Sequence, residues 1–460
     1  MADSVSGDAL GRPVASASAD LSLNSGDALY DAPPPRVLIY AMNYAPELIG
    51  CGKYTGEIGA YLAAQGTSVE VVTTAPHYPS WQAQTPYSAG RYTVEKTART
   101  RVTRCPIGLN KKIHGFARAW APLSFALSSA PVVVWRILTT RPNTVFCVEP
   151  TLLAAPAALL AAKLVGARTV LHVQDLEMDA AFAMGHVRGG FLKNLAFLFE
   201  KLTLKAFDHV ITISHKMRQG LQHKGLARSK ISIVRNWVDL ARIFPMLGPN
   251  AYRRELGIDE TTFVALYSGS IGAKQALDVV AGAAESLVDR EDILFVIAGD
   301  GPAKAGLVAR GLKNMRFMPL QPEPRLCELL NLADAHLLPQ DHSAADLVLP
   351  SKLAGMLATG KPIVAQAKAG TELHSFLDGA CSLVKVGDSA ALAEALLDLR
   401  AEREKSTQNA EKRRALAEQL SAPAMLRRLT GAMHRGRPAN APARYIGEDA
   451  PAAASKALAD

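Results

Sequence analysis

The sequence has few cysteines, and they lie far apart. Five occur among the 460 residues, none of them in a CxxC pair: Cys51, Cys105, Cys147, Cys327 and Cys381. An odd number of widely spaced cysteines argues against a disulfide framework or a structural zinc site. We expect most of them to be buried thiols in a protein of the reducing cytoplasm.

The first 35 residues lack the basic start and the apolar core of a signal peptide. They are rich in Ser, Ala and Asp and end in three prolines, so we predict a disordered tail over residues 1–35. The Ala- and Pro-rich residues 438–460 form a second predicted tail. No internal repeat is evident, and the chain is too long for one core, which rarely exceeds about 300 residues.

The first glycine-rich loop lacks the residues of two common nucleotide sites. A P-loop needs Gly where Glu47 stands and Ser or Thr where Tyr54 follows Lys53, so a Walker site is excluded. A dinucleotide site needs a third glycine and an acid after the next strand, and neither is present, so NAD is not expected. We predict that the loop shapes a substrate cleft at a helix N-terminus, through Glu47, Gly50, Gly52 and Lys53. The alternative is a tight turn with no ligand.

The net charge of +9 is unevenly distributed. Residues 91–118 hold eight Lys or Arg, including Lys111 and Lys112, against a single Glu. Residues 119–135 are uncharged, contain two prolines and have Trp near both ends, but the run is short for a membrane span. One interpretation is a buried helix pair beside a solvated basic loop, and the other is a basic, aromatic surface resting on anionic lipid. Nucleic-acid binding is disfavoured, because interleaved aromatic residues are absent.

Short apolar runs alternate with helical patterns, which is typical of a parallel sheet covered by helices on both faces. The fold class is therefore α/β, with two doubly wound Rossmann-like domains facing a cleft. Their predicted bounds are 36–240 and 259–410, with a linker at 241–258 and a C-terminal helix at 411–437. Predicted strands cover residues 37–40, 69–73, 144–148, 169–173, 210–213, 231–234, 263–268, 293–298, 315–318, 335–338, 362–365 and 382–386.

Two predicted strands of the second domain end in glycine turns that open onto helices. The first turn carries Gly269, Ser270 and Lys274, and the second carries Gly301. Backbone N–H groups at such turns bind phosphate, and a lysine adds a mobile positive charge. We therefore predict a nucleoside diphosphate site in the second half of the chain.

A third element of that site is predicted where Pro350 and Ser351 favour the start of a helix. The first N–H groups of the helix can meet an anion beside Lys352. We expect this helix start to share the phosphate site of the glycine turns. The alternative is a capped surface helix.

Two further polar sites follow predicted strands of the first domain. His172 lies at the carboxyl end of a strand, where the cleft is expected. It either contacts a ligand or is a hydrogen-bonded histidine beneath a helix. Asn236 and Asp239 are interpreted as a hinge-forming turn before the linker.

In their order and spacing these motifs resemble the retaining glycosyltransferases of the GT-B fold, in family four of that class. The resemblance covers residues from about 37 to 400. It rests on the first glycine loop, ITIS at 211–214, NWVD at 236–239, the 269–274 loop, GDGP at 299–302 and GKPIV at 360–364. Within the family, the WcaI-like colanic acid glycosyltransferases are similar in NYAPE at 43–47, GKYTGE at 52–57, HYPSW at 77–81 and ADLVLPSK at 345–352.

The resemblance implies transfer of a sugar from a nucleotide-sugar donor, with GDP-fucose favoured, to a polyprenyl-linked oligosaccharide in exopolysaccharide biosynthesis. No Asp-x-Asp occurs at a predicted strand end, so no metal ion is demanded, and no cofactor is expected. Lys274 would stabilise the departing diphosphate and His172 would contact the transferred sugar. A lipid-linked acceptor also gives the basic stretch a purpose, which is to hold the protein on the inner face of the cytoplasmic membrane.

Two departures from the family pattern concern the donor site. Ser270 stands where the family usually has Arg, which leaves Lys274 as the main cation. The family's paired glutamates are also missing: the second, which normally binds the donor ribose, falls at about Gly355, and the region of the first offers only Asp346. These departures keep two alternatives open, a nucleotide-sugar epimerase of the same fold and a non-catalytic assembly subunit.

Overall fold

The computed structural model describes residues 34–48, 50–78, 80–109, 116–150, 152–175, 190–272, 275–341, 349–402 and 409–435. The predicted C-terminal tail and residues 1–33 of the predicted N-terminal tail lie outside this description. So do Lys111, Lys112, Lys274 and Asp346, and the side chains of residues 116–119 and 190–193.

The first half of the chain forms an eight-stranded sheet with the strand order β3-β4-β2-β1-β5-β6-β7-β8. All neighbours are parallel except β3 and β4, which form an antiparallel pair. The central strands are buried on both faces, as their continuous apolar runs predict. The strands are β1 Arg36–Tyr40, β2 Ser68–Thr74, β3 Thr93–Lys96, β4 Thr100–Cys105, β5 Thr144–Glu149, β6 Arg168–Val173, β7 His209–Thr212 and β8 Ile231–Ile233.

Helices cover both faces of this sheet. The described ones are α1 Gly50–Ala64, α2 Phe116–Thr140, α3 Ala155–Val165, α4 Gly190–Ala206 and α5 His215–His223. One face packs against α2 and α3, and the other packs against α1 and the last helix of the chain. Folds of this class place ligands at the carboxyl ends of the parallel strands.

The second half forms a six-stranded, all-parallel sheet with the order β11-β10-β9-β12-β13-β14. Its strands are β9 Phe263–Ser268, β10 Ile293–Ala298, β11 Met315–Met318, β12 Ala335–Leu338, β13 Ile363–Gln366 and β14 Ser382–Val384. Its described helices are α6 Ala251–Glu255, α7 Leu277–Ser286, α8 Lys304–Val308, α9 Leu326–Asn331, α10 Lys352–Ala358, α11 Glu372–Leu377 and α12 Ser389–Ala401. The two sheets confirm the predicted α/β class.

The C-terminal helix is two helices, α13 Ala410–Gln419 and α14 Ala422–His434, and not the single helix that we predicted. Pro423 lies in the first turn of α14 and cannot continue a preceding helix, because it has no N–H group. Between the two helices, Val238 N–H donates to Leu420 O at 3.0 Å, and Ala422 N–H donates to Val238 O at 2.9 Å. Helix α14 then packs into the core of the first sheet.

The basic stretch is not a solvated loop, because part of it forms the β3–β4 hairpin. The apolar run after it is one long helix, α2, and not a helix pair, although Pro122 and Pro131 lie inside it. Burial of Phe125, Val133 and Ile137 against the sheet offsets the hydrogen bonds that the prolines remove. Among the described residues one helical segment, Trp120–Thr140, is long and apolar enough to cross a membrane, but one of its faces is committed to this core.

The predicted linker contains the short helix α6, which sequence reasoning missed. The Asn250 side chain caps it by accepting a hydrogen bond from Tyr252 N–H at 2.9 Å, and the Tyr252 ring is buried. The signal was present as Asn before an apolar residue, but the surrounding Pro and Gly obscured it.

Candidate active site

Glu47 is a buried organiser of the first glycine-rich loop. Its carboxylate accepts hydrogen bonds from Asn43 Nδ2 at 2.9 Å, His77 N–H at 2.9 Å and Tyr78 N–H at 3.0 Å. A carboxylate with three such donors holds the ends of β1 and β2 together. The fold thus places Glu47 at the edge of the cleft, and its carboxylate oxygens already accept hydrogen bonds from the protein.

The glycines at the start of α1 are required by these neighbours. Gly50 has φ +66°, and a Cβ there would lie 3.2 Å from the Tyr78 ring. A Cβ on Gly52 would lie 2.7 Å from Glu47 Cβ. The space beside Gly52 that we assigned to a substrate is therefore filled by Glu47.

The first turns of α1 reach the second half of the chain. The Tyr54 hydroxyl is hydrogen-bonded to the Ser351 side chain, and burial raises the Tyr54 pKa. Lys53 Nζ lies 3.6 Å from Glu57 Oε1. Burial lowers the Lys53 pKa, but the electrostatic influence of Tyr54, Glu57 and Glu323 outweighs it, so the pKa is raised. The loop residue Lys53 thus faces charge on both sides of the cleft.

The two glycine turns of the second half pack backbone against backbone. Gly299 and Gly301 have φ of +153° and +154°, and a Cβ on Gly301 would lie 2.7 Å from the Ile271 carbonyl carbon. Ile271 N–H donates to Asp300 O at 2.9 Å across the turns. Gly301 therefore packs against the backbone of the first turn at Ile271, and it supports that turn through this contact.

Lys352 lies against the first glycine turn. Its Nζ is 3.8 Å from the Cβ position of Gly269 and 4.0 Å from the centre of the Tyr267 ring. The Tyr267 hydroxyl donates to Ser270 O at 2.5 Å and fixes the turn, while Ser270 is exposed. Burial lowers the pKa of Lys352 to about 7, and no carboxylate pairs with it in the described part of the chain.

Ser351 precedes α10 as predicted, but it does not cap the helix. It has helical dihedral angles of φ −58° and ψ −30°, and its side chain makes no cap hydrogen bond. The side chain pairs with Tyr54 instead. A narrow pocket of about 10 Å³, room for one water molecule, lies here between Asn236, Ser351 and neighbours from both halves.

His172 is fully buried at the carboxyl end of β6. Its ring centre lies 5.8 Å from that of Phe146, and its Nε2 is 3.5 Å from Gln174 Nε2. Nδ1 has no hydrogen-bond partner among the described residues. Burial lowers the His172 pKa to about 4, so the imidazole is neutral at neutral pH. None of its described contacts joins it to the Gly269 and Lys352 cluster.

Sequence reasoning missed the residues that connect the two halves. The Glu372 carboxylate accepts from Arg235 at 2.6 Å and from His215 N–H at 2.8 Å. Within the first half, just before the linker, Trp237 Nε1 donates to Glu57 at 2.5 Å, and the Trp237 ring packs edge-on against Tyr54 at 5.1 Å. The only sequence signal for Glu372 was a Thr before a helix, which predicts a cap and gives no partner.

Gly355 marks the position of the missing family glutamate, and it lies inside α10. A Cβ there would lie 3.2 Å from Leu330 Cδ1. A carboxylate side chain therefore has little room at this position. No group of three or more His, Cys, Asp or Glu side chains that could hold a metal ion occurs within the described ranges.

Comparison with known proteins agrees with this architecture. Residues 50–237 match the family described as a glycosyl transferase 4-like domain, and residues 250–416 match the glycosyl transferases group 1 family. WcaI of Escherichia coli strain K12, which is assigned as a glycosyl transferase of colanic acid biosynthesis, is 43% identical over 348 residues. The match covers 74% of this chain and 84% of WcaI.

Solved structures show the same fold. WaaG, a glycosyltransferase involved in lipopolysaccharide biosynthesis, superposes with a TM-score of 0.62 at 16% identity, covering 87% of this chain and 100% of WaaG. HepE of Anabaena, solved in complex with UDP, has a TM-score of 0.62 at 14% identity, covering 86% of this chain and 99% of HepE. The chain is therefore a glycosyltransferase of the GT-B fold and belongs to family four, with the WcaI-like colanic acid glycosyltransferases.

Proposed function

We propose that the protein transfers a sugar, with retained anomeric configuration, from a nucleoside diphosphate sugar to a lipid-linked oligosaccharide during exopolysaccharide biosynthesis. GDP-fucose is the proposed donor. The colanic acid assignment of WcaI supports the pathway, and the complex of HepE with UDP-glucose supports a nucleotide-sugar donor. The observation that carries the proposal is Lys352 against the Gly269 turn, a cation without a described carboxylate partner.

The diphosphate would occupy the space between the Gly269 turn and the start of α10. Lys352 would become protonated there and compensate the charge that develops as the bond from sugar to phosphate breaks. Lys274 would supply a second cation, and Ser270 a hydroxyl donor. Groups placed where charge develops are often the largest contribution to catalysis.

His172 would contact the transferred sugar. Because the His172 side chain is fully buried in the free protein, this contact requires donor binding to expose the ring; the neutral imidazole, whose Nδ1 has no described partner, could then donate to or accept from a sugar hydroxyl. The acceptor hydroxyl would attack on the face from which the diphosphate leaves, and its proton would pass to a departing phosphate oxygen. The α1 loop with Lys53 would border the acceptor.

Nucleotide binding tests the donor site. We expect GDP to stabilise the wild-type protein in a thermal shift experiment, where a ligand at a hundredfold over its Kd adds about 2.7 kcal/mol. UDP, ADP and NAD should have smaller effects. Lys352→Ala and Lys274→Ala should lose the GDP effect, while Lys313→Ala, which removes an exposed lysine, should keep it.

Each other outcome has a defined meaning. A response to UDP in place of GDP would overturn the proposed base and keep the fold assignment. No response to any nucleotide would favour a non-catalytic assembly subunit. Near-normal turnover in Lys274→Ala would remove that residue from the phosphate site.

We further propose that the protein rests on the cytoplasmic membrane through its first half. Helices α2, α3 and α4 lie side by side, and each exposes large apolar residues; α2 also lies beside the basic β3–β4 hairpin. These residues are Trp120, Leu123, Leu127, Trp135, Leu138, Leu160, Leu164, Leu195, Leu198 and Leu202. An apolar face of this extent marks an interaction surface, and the neighbouring basic charge favours anionic lipid.

Sedimentation with vesicles tests this position. Binding should require anionic lipid, weaken at high salt and weaken on charge reversal at Lys111 and Lys112. Failure of the wild-type protein to bind anionic vesicles at low salt would overturn the proposal.

A further inference from the structure

A groove separates the β3–β4 hairpin from the middle of α2. It has a volume of about 330 Å³ and is lined by Val94, Arg101, Thr103, Val132, Trp135 and Arg136, among others. Arg101 is the second residue of β4, which runs parallel to β2, so the groove lies toward the amino ends of the strands. The active-site cleft lies at the opposite, carboxyl ends, and the groove is separate from it.

Two buried donors in this groove have no hydrogen-bond partner within the described ranges. Thr103 is 7% exposed, and its buried Oγ1 has no hydrogen-bond partner in the described part of the chain. Arg101 Nε is also buried, with no partner among the residues that the structure describes. Buried polar atoms are nearly always hydrogen-bonded, so two in one groove indicate a ligand that carries acceptor oxygens.

The charge in the groove is positive. Lys96 stands opposite Arg101 in the hairpin register and therefore on the same face of the sheet. Glu70 is engaged by Arg136, through bonds at 2.5 and 3.1 Å. Glu95 pairs with Arg104 and not with Arg101. Glu70 also stands opposite Arg101 in the β2–β4 register, so one carboxylate faces Lys96, Arg101 and Arg136. Among the described residues the positive charges outnumber it, and the expected ligand is an anion.

The walls of the groove are apolar and open outward. Val94 is 48% exposed and Trp135 is 65% exposed, on either side of the polar floor. The Trp135 wall continues into the exposed apolar face of α2. A ligand that satisfies both the polar floor and the apolar walls has an anionic group such as a phosphate at one end and an alkyl chain at the other.

We propose that this groove binds one anionic phospholipid, with its phosphate against Arg101 and Thr103 and its first acyl segments against Val94 and Trp135. The inference rests on the proposed membrane position and adds a defined lipid site to it. A saturable site orients the protein on the membrane, which a diffuse basic surface does not.

Binding of a short-chain phosphatidylglycerol below its critical micelle concentration tests the site, because no membrane surface is then present. Isothermal titration should show saturable binding of one lipid per chain. Arg101→Gln should weaken it by at least about tenfold, as expected for lost hydrogen bonds to a charged group. Arg91→Gln makes the same change in net charge at an exposed residue outside the groove, and should bind the lipid like the wild type.

Thr103→Val separates a binding role from a structural one. The substitution keeps the shape and removes the unpaired hydroxyl, so it should raise the melting temperature of the lipid-free protein while weakening lipid binding. Inorganic phosphate at the same concentration should not displace the lipid. Complete displacement by phosphate would show a phosphate site and overturn the lipid assignment.

Vesicle sedimentation then distinguishes the two proposals. If the wild type binds anionic vesicles and Arg101→Gln matches Arg91→Gln in both assays, the groove proposal is wrong and the membrane proposal stands. If the wild type binds the short-chain lipid but no vesicles, the membrane proposal is wrong and the site remains.

Discussion

Replacing Lys352 by Met is expected to stabilise the free protein and abolish its binding of nucleotide. Met retains most of the length of the side chain and removes its charge. Burial lowers the Lys352 pKa from 10.5 to about 7. At about 1.36 kcal/mol per pH unit this fall sets an upper limit of about 5 kcal/mol on the cost of burying the charge. Because the side chain is partly exposed, solvent reduces the expected cost to about 2 kcal/mol.

The sign of the pH dependence follows from this lowered pKa. Between about pH 7 and 10.5 the unfolded chain binds a proton at Lys352 that the folded chain does not, so the stability of the wild type rises with pH. The cost is fully present below about pH 7. Lys352→Met should therefore be more stable than the wild type at about pH 6.5, and the difference should shrink toward about pH 10.

The binding of GDP should show the opposite preference. The diphosphate favours the charged lysine, so binding takes up a proton above about pH 7, and the affinity should fall by up to about tenfold per pH unit between pH 7.5 and 9. Urea denaturation at about pH 6.5 and about pH 10 measures the change in stability, and GDP titration between about pH 7.5 and 9 measures the change in affinity. Lys313→Met, at an exposed surface lysine, is the matched control.

A destabilised Lys352→Met protein at about pH 6.5 would show that the ammonium is stabilised by a partner. If that variant also bound GDP with unchanged affinity and pH dependence, the assignment of Lys352 to the diphosphate site would be wrong.

Three further predictions test the supporting structure. Gly301→Ala should lower the free energy of unfolding in urea by several kcal/mol, because a Cβ would meet the Ile271 backbone at 2.7 Å. Gly66→Ala is the control: its φ is +84° and a Cβ there would have nothing within 4 Å, so the loss should be only about 1 kcal/mol. Equal losses in the two variants would contradict the packing argument. Glu372→Gln should lower the melting temperature by breaking the partly buried pair with Arg235, whereas Asp289→Asn, at an exposed pair, should leave it unchanged. The activity profile should show no inflection near pH 6.5 from His172, whose pKa is about 4; an inflection there that disappears in His172→Asn would refute a neutral imidazole.

The positions of most strands along the chain were predictable because a strand buried on both faces leaves a continuous apolar run. That signal located β9 and β10 to the residue. It failed for β3 and β4, which lie at the edge of the first sheet and carry charged and polar side chains. An exposed edge pair has no apolar pattern, so its strand character depends on the tertiary pairing to β2.

The candidate site was predictable where a backbone conformation selects glycine. The positive φ values at Gly269 and Gly301 leave a signature in the sequence. The contacts of Lys352 with Tyr267 and of Tyr54 with Ser351 leave none, because they join residues that are far apart in the chain. Tyr267 looks like an ordinary core residue of β9 until its hydroxyl is seen to hold the turn.

Acceptor-dependent transfer tests the central claim most directly. The wild-type protein would be incubated with GDP-fucose, with and without a polyprenyl-linked oligosaccharide, and released GDP and the glycosidic product would be quantified, with the anomeric configuration read by NMR. The proposed function predicts GDP release only with the acceptor, in equal amount to a product that retains the donor's configuration. Conversion of the donor without acceptor would identify an epimerase, and a nucleotide-bound protein that transfers no sugar from any GDP- or UDP-sugar would contradict the proposed catalytic role.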